Sequence, residues 1–271
     1  MDITELTYTK GTAWKEVEEV PFSASQIVVE EHFSGSAEMS VPDYQKPMPE
    51  IDPPRLFIIS GGTNRESDYL KFARNLAASK HIVLAITSKK GQGLQPFQMS
   101  QWADQFYLNH RFETKEQDYE LVDSDHIFMI SDVDEYGSDL TRRIPDSPER
   151  LKWIVSNPCF EIWLFYHYFE CPLPLLEEGL SLPVSKRSQW MKQRLHELHQ
   201  VDSAKALLNM QIAIKNTEAN FKMGENGLPD VYATQMYLFA QALLDAVTKD
   251  EFEAMVRHHR ERADAYRAAL L

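Results

Sequence analysis

The 271-residue chain has only two cysteines, Cys159 and Cys171. That is too few for a disulfide framework, and neither stands in a CxxC or CxxH spacing of the kind that holds zinc. They read as reduced thiols of a cytoplasmic protein. An apolar run of the ~20 residues that a bilayer demands is also lacking, because the most apolar stretch, Phe160 to Leu176, is broken by Glu161, His167, Glu170 and prolines. No membrane span is expected. Export is not expected either, since Met1 to Lys10 carries acidic and polar residues where a signal peptide needs a basic region and then an apolar run. Positive charge is scarce: 28 Lys and Arg face 41 Asp and Glu, a net charge of −13. Such a chain does not coat nucleic acid nonspecifically, although a nuclease with a local basic path remains open. Neither H-E-x-x-H nor G-x-S-x-G occurs, which removes the common zinc-protease and serine-hydrolase frames.

What is present is a globular composition, with 43% apolar and 25% charged residues. The length suits one large domain or two small ones. The acidity is uneven: residues 1–52 hold eleven acidic residues against three lysines, and residues 42–54 carry five prolines. Residues 1–54 are therefore an acidic arm, with Gln26–Glu30 as a short strand at most. From Arg55 the pattern becomes β, α, β, α, β. RLFIIS, HIVLAITS and HIFMIS are apolar runs of the length of buried strands, and Glu66–Ser79 and the stretch with Met99, Trp102 and Phe106 have helical spacing between them. This order predicts an α/β fold, a parallel sheet flanked by helices, over residues 55–180. Ser147–Val155 reads as a short helix or turn and Ser156–Phe169 as a helix opened by Asn157-Pro158. Residues 181–271 are mainly helical, with breaks near Val201, at Gly224–Pro229 and near Thr248.

Ligands of parallel sheets gather beyond the carboxyl ends of the strands, so Gly61-Gly62, Lys89-Lys90 and Asp132-Val133-Asp134 belong to one edge. A D-x-D leaving a buried strand offers two carboxylates to a hard cation. Magnesium takes one or two carboxylates and fills its shell with water and phosphate oxygens. The plainer role for Asp132 and Asp134 is as turn and cap residues. Gly61 and Gly62 allow backbone N–H groups to approach a phosphate, or simply make a tight turn. Lys89 and Lys90 are a phosphate clamp or a solvated loop. Glu161 lies in an aromatic segment where a charge needs a partner or a metal, whereas His167 on the same segment fits a satisfied core histidine. His258-His259 belongs to a solvated helix face.

Several segments together resemble the RloB family of phage-defence proteins. They are SNPCFEIWLFYHY, KKGQG followed by QPFQM, SDVDEY, SKRSQWMKQRL, AIKNTEANF and YATQMYLFAQALL, in order over residues 55–245. The resemblance implies a Toprim-like catalytic domain, in which a glutamate after the first strand and a later D-x-D hold Mg2+ or Mn2+ for phosphodiester chemistry. Asp132 and Asp134 would be that D-x-D. An ATPase partner and a nucleic-acid substrate are implied too, and a homo-oligomer is left open. The family's E-G-x-x-T-E run reads Gly61-Gly62-Thr63-Asn64-Arg65-Glu66 here, so Gly61 stands where the catalytic carboxylate is expected. Glu66 or Glu161 completes the site, or the site is impaired. A magnesium-dependent nuclease, a noncatalytic Toprim-like module working with an ATPase, and an enzyme acting on a small phosphate ester all remain compatible with the sequence.

Overall fold

The structure is a computed structural model that describes residues 54–62, 64–76, 82–86, 94–113, 118–134, 136–198 and 202–268. The acidic arm and its expected strand at Gln26–Glu30, and the lysines Lys89 and Lys90, lie outside the described residues.

The elements run β1 (Leu56–Ser60), α1 (Arg65–Leu76), β2 (Ile82–Ile86), α2 (Pro96–Asn109), β3 (Arg111–Glu113), β4 (Asp118–Glu120), β5 (His126–Asp132), α3 (Gly137–Asp146) and β6 (Leu151–Ser156). The helical part follows with α4 (Glu161–Tyr166), α5 (Leu173–Leu180), α6 (Val184–Glu197), α7 (Ser203–Ala206), a 3-10 turn (Leu207–Asn209), α8 (Met210–Asn220), α9 (Met236–Val247) and α10 (Lys249–Ala268). The α/β class with a mainly helical C-terminal part is as expected. Strands β2, β1, β5 and β6 lie side by side in that order and are parallel throughout.

Ser147–Val155 is not the helix or turn expected from the sequence, because residues from Leu151 onward form a fourth parallel strand, β6, paired with β5. Exposed Lys152 interrupts its apolar run, so the pattern is too short to read. Trp153, Ile154 and Val155 nonetheless suit a pleated surface once β5 supplies a partner. The short antiparallel pair β3–β4 has no counterpart in the sequence reading either; each strand is three residues, one aromatic between two charged ones, too short for its alternation to be read.

Every residue of β1 is fully buried, since helices cover both faces of the sheet. Leu56, Ile58, Phe128, Ile130 and Ile154 point to one face and pack with α1, α4 and the C-terminal helices. Phe57, Ile59, Ile127, Met129 and Val155 point to the other, against Met99, Trp102 and Phe106 of α2 and Leu140 of α3. This alternation is the period of two that a strand imposes. The amino ends of the strands are pinned by Asp125, whose carboxylate takes the Arg55 guanidinium at 2.6 Å and the Val122 N–H at 2.9 Å. The second D-x-D, Asp123 to Asp125, is therefore structural at Asp125. No helix among the described residues is long and apolar enough to cross a membrane.

Candidate functional site

In the strand order β2-β1-β5-β6 the chain steps from β1 to β2 in one direction and returns to place β5 on the other side of β1. A crevice opens at such a switch point, beyond the carboxyl ends of the strands. Here it is a cleft of about 460 Å³ lined by Gly61, Gly62, Asn64, Arg65, Glu66, Leu94, Ser131, Asp132, Tyr136, Phe160, Glu161 and Lys192.

Three carboxylic acids reach the cleft from three elements. Glu66 sits in the first turn of α1 and is buried. Its Oε1 accepts the Ser60 hydroxyl, and the Gly62 N–H points to the same atom at 3.3 Å. A Cβ on Gly62 would overlap the Glu66 side chain, so glycine here is what lets the carboxylate lie over the end of β1. Asp132 is the last residue of β5, paired with Ser156 of β6. Its Oδ1 is buried without a hydrogen-bond partner among the described residues. Glu161 opens α4, and its Oε1 takes Arg65 Nη1 at 3.2 Å.

The acids act on one another. Burial first, then Glu161, pushes the Glu66 carboxyl up to about 7 against the hydrogen bonds from Ser60 and Gly62. Asp132 is pushed well above the usual carboxylate range by burial, then by Glu66 and Glu161. Lys192 of α6 stands at the mouth. Burial works against its charge, yet Glu161, Asp132 and Asp134 outweigh that and raise its pKa.

Glu161 is delivered by a tightly held turn. Asn157-Pro158 is a cis peptide, and Asn157 Nδ2 donates to Pro229 O at 2.7 Å while Tyr232 N–H donates to Asn157 O at 2.7 Å. Gln235 and Val155 exchange two hydrogen bonds, 3.0 and 2.9 Å, and Ser156 Oγ meets Thr234 Oγ1 at 2.7 Å. The YATQ segment thus closes the outer edge of β6 beside the NPCFE turn. Two motifs about 75 positions apart in the sequence are one structural unit.

Of the residues expected at the site, Glu66, Asp132, Glu161, Gly61 and Gly62 come together at the cleft. Asp134 is partly exposed and does not line it; its N–H is spent on Pro158 O at 3.0 Å, although its charge is felt by Lys192. His167 is the core histidine expected: Nε2 meets the Tyr69 hydroxyl at 3.2 Å, Nδ1 meets Trp163 O at 2.8 Å, and burial pushes it down to about 3, so it is uncharged. The sequence reading missed Arg65, Ser60 and Lys192. Lys192 lay inside the SKRSQWMKQRL motif, but nothing in its spacing pointed to acids on α1, β5 and α4.

The donor set fits a hard cation. It consists of carboxylate oxygens only, one of them buried and unpartnered, and soft thiol or imidazole ligands are not part of it. Among the described residues no group of three or more His, Cys, Asp or Glu side chains converges closely enough to hold a metal by itself. A magnesium-like ion that keeps water and takes up phosphate oxygens suits this better than a fully caged one.

Neither the curated proteins nor the solved structures contain a match to the chain. The family model for RloB-like proteins matches residues 56–243. That span runs from β1 into α9 and takes in the cleft, the NPCFE turn and the YATQ edge, and by it the chain belongs to the family of RloB-like proteins.

Proposed function

We propose that this RloB-like protein serves in antiviral defence as a Toprim-type, magnesium- or manganese-dependent nuclease that cleaves phosphodiesters of DNA or RNA in the cytoplasm, alongside an ATPase partner. The observation that carries the reading is the convergence of Glu66, Asp132 and Glu161 on one cleft at the switch point, with Asp132 Oδ1 left without a hydrogen-bond partner among the described residues. Family membership supports the role in defence. Asp132 and Glu66 are the first candidates to hold the ion, with Asp134 at the margin. A bound divalent cation would stabilise charge on the phosphoryl oxygens and lower the pKa of an attacking water. Burial pushes the metal-free Glu66 carboxyl up to about 7, so taking up the ion there is expected to release a proton and to strengthen as pH rises. Arg65 orients Glu161 through their ion pair. Phe160 and Leu94 add apolar surface to a cleft whose lining is otherwise mainly polar.

The test is cleavage of single- and double-stranded DNA and RNA by the purified chain. Asp132→Asn is expected to lower magnesium-dependent cutting at least about a hundredfold, the scale lost with a group at the reacting centre, while the melting temperature does not fall. Equal cutting by parent and variant would end the assignment.

A second reading, a noncatalytic module that works with an ATPase, is favoured by Gly61, which puts no carboxylate at the end of β1. Calorimetry separates the two: no heat of binding at millimolar magnesium or manganese supports the module.

A further inference from the structure

Helix α6 docks on the NPCFE turn through Met191, whose Sδ lies 3.8 Å from Cys159 Sγ, and this brings the next residue, Lys192, over the mouth of the cleft. The two cations there differ in kind. Arg65 is locked, since its Nη1 donates both to Glu161 Oε1 at 3.2 Å and to the Lys192 carbonyl at 3.4 Å. The Lys192 ammonium has no hydrogen bond and no ion pair among the described residues, although it faces an acidic cleft. It is a compact charge on a four-carbon stem with three donors, held by the field of the acids rather than by one of them.

We propose that Lys192 is a tethered counter-cation of the cleft: it balances the carboxylates of Asp132, Glu161 and Asp134 while no metal is bound, and turns to a phosphate oxygen when a divalent cation takes that place. This rests on the metal-dependent phosphodiester reading above. Entry of the ion brings two positive charges to acids that Lys192 already serves, so the ammonium becomes surplus positive charge at the rim. A phosphodiester anion is the ligand that absorbs it. Metal and phosphodiester must then bind cooperatively, and by linkage each raises the affinity of the other by the same factor.

The experiment titrates manganese into the full chain, followed by electron paramagnetic resonance of the free ion, for the parent, Lys192→Met and Lys192→Arg. Each is measured alone and with a phosphorothioate-linked oligothymidylate, which resists cleavage. Lys192→Met removes the competitor, so it is expected to bind manganese alone about tenfold tighter than the parent. The oligonucleotide is expected to tighten manganese binding in all three, because the ion itself takes a phosphate oxygen, and to do so about tenfold more in the parent and in Lys192→Arg than in Lys192→Met. If Lys192→Met binds manganese no tighter than the parent, or shows an oligonucleotide effect as large as the parent's, the proposal is overturned. A parent that binds no manganese at millimolar concentration defeats the metal reading itself. In that case the counter-cation idea survives only if Lys192→Met does bind.

Discussion

Gly61 and Glu66 show how a site is redistributed among neighbouring residues. A Cβ at Gly61 would stand 3.0 Å from the Leu94 carbonyl, tighter than side chains normally tolerate, and the space over the end of β1 already holds the Glu66 carboxylate. The acid reaches the cleft from one turn into α1 instead of from the strand. This has a thermodynamic consequence. Folding raises the proton affinity of Glu66, moving its pKa from 4.5 to about 7, so as pH rises the unfolded chain sheds the proton first. The stabilisation is complete below about 4.5 and lost as pH climbs through 7. Asp132 is shifted the same way. Glu66→Gln should therefore be more stable than the parent in metal-free buffer at pH 8, by up to about 3 kcal/mol, with no such advantage at pH 4. Melting curves at the two pH values check this; a constant difference across pH would refute the protonation account.

At the scale of elements, the short helix α4 is buried on all sides and depends on its neighbours for its last carbonyls. Asn216 of α8 donates to Tyr166 O at 2.9 Å and to Phe169 O at 3.1 Å. Asn220 adds a bond to Glu170 O at 2.8 Å. Helix ends leave carbonyls unsatisfied, and burying them without partners is costly. Asn216→Ala is expected to cost about 2–3 kcal/mol, read by urea denaturation, because it strands two carbonyls at once. Its effect on the cleft should be secondary, through the seat of Glu161. A loss under about 0.5 kcal/mol would show that water or a backbone shift replaces the amide.

For the molecule as a whole, the sheet and the C-terminal helices share one core. Phe128 of β5 meets Phe239 of α9 edge-on at 5.8 Å, and Met191, Leu207, Met210 and Met236 join the cluster that holds Ile58, Ile130 and Trp163. Cutting the chain after Leu180 would uncover the part of that cluster that α6 to α10 cover and take Lys192 and the YATQ edge with it. A fragment of residues 54–180 is expected to lack cooperative unfolding and to bind hydrophobic dyes. The full chain should show fixed aromatic signals in near-ultraviolet circular dichroism. A fragment with a sharp melting transition would show that the sheet with α1–α5 suffices.

The sequence alone determined the class of fold and the ligand edge. Short continuous apolar runs such as RLFIIS, bounded by prolines and a glycine pair, read as strands covered on both faces, and the acids that leave them fall at one end of a parallel sheet. It also marked Glu66, Asp132 and Glu161. What it could not decide depended on partners far along the chain. β6 needed β5 beside it and the YATQ loop along its edge, since Lys152 hides its pattern. Lys192 entered the site only because α6 packs on the turn after β6, and Arg65 because the start of α1 faces Glu161 at the start of α4. Asp134 stays off the cleft wall because its backbone is drawn to Pro158. Periodicity is a property of neighbours in sequence, whereas the field inside a cleft is a sum over charges that only the packed chain brings together.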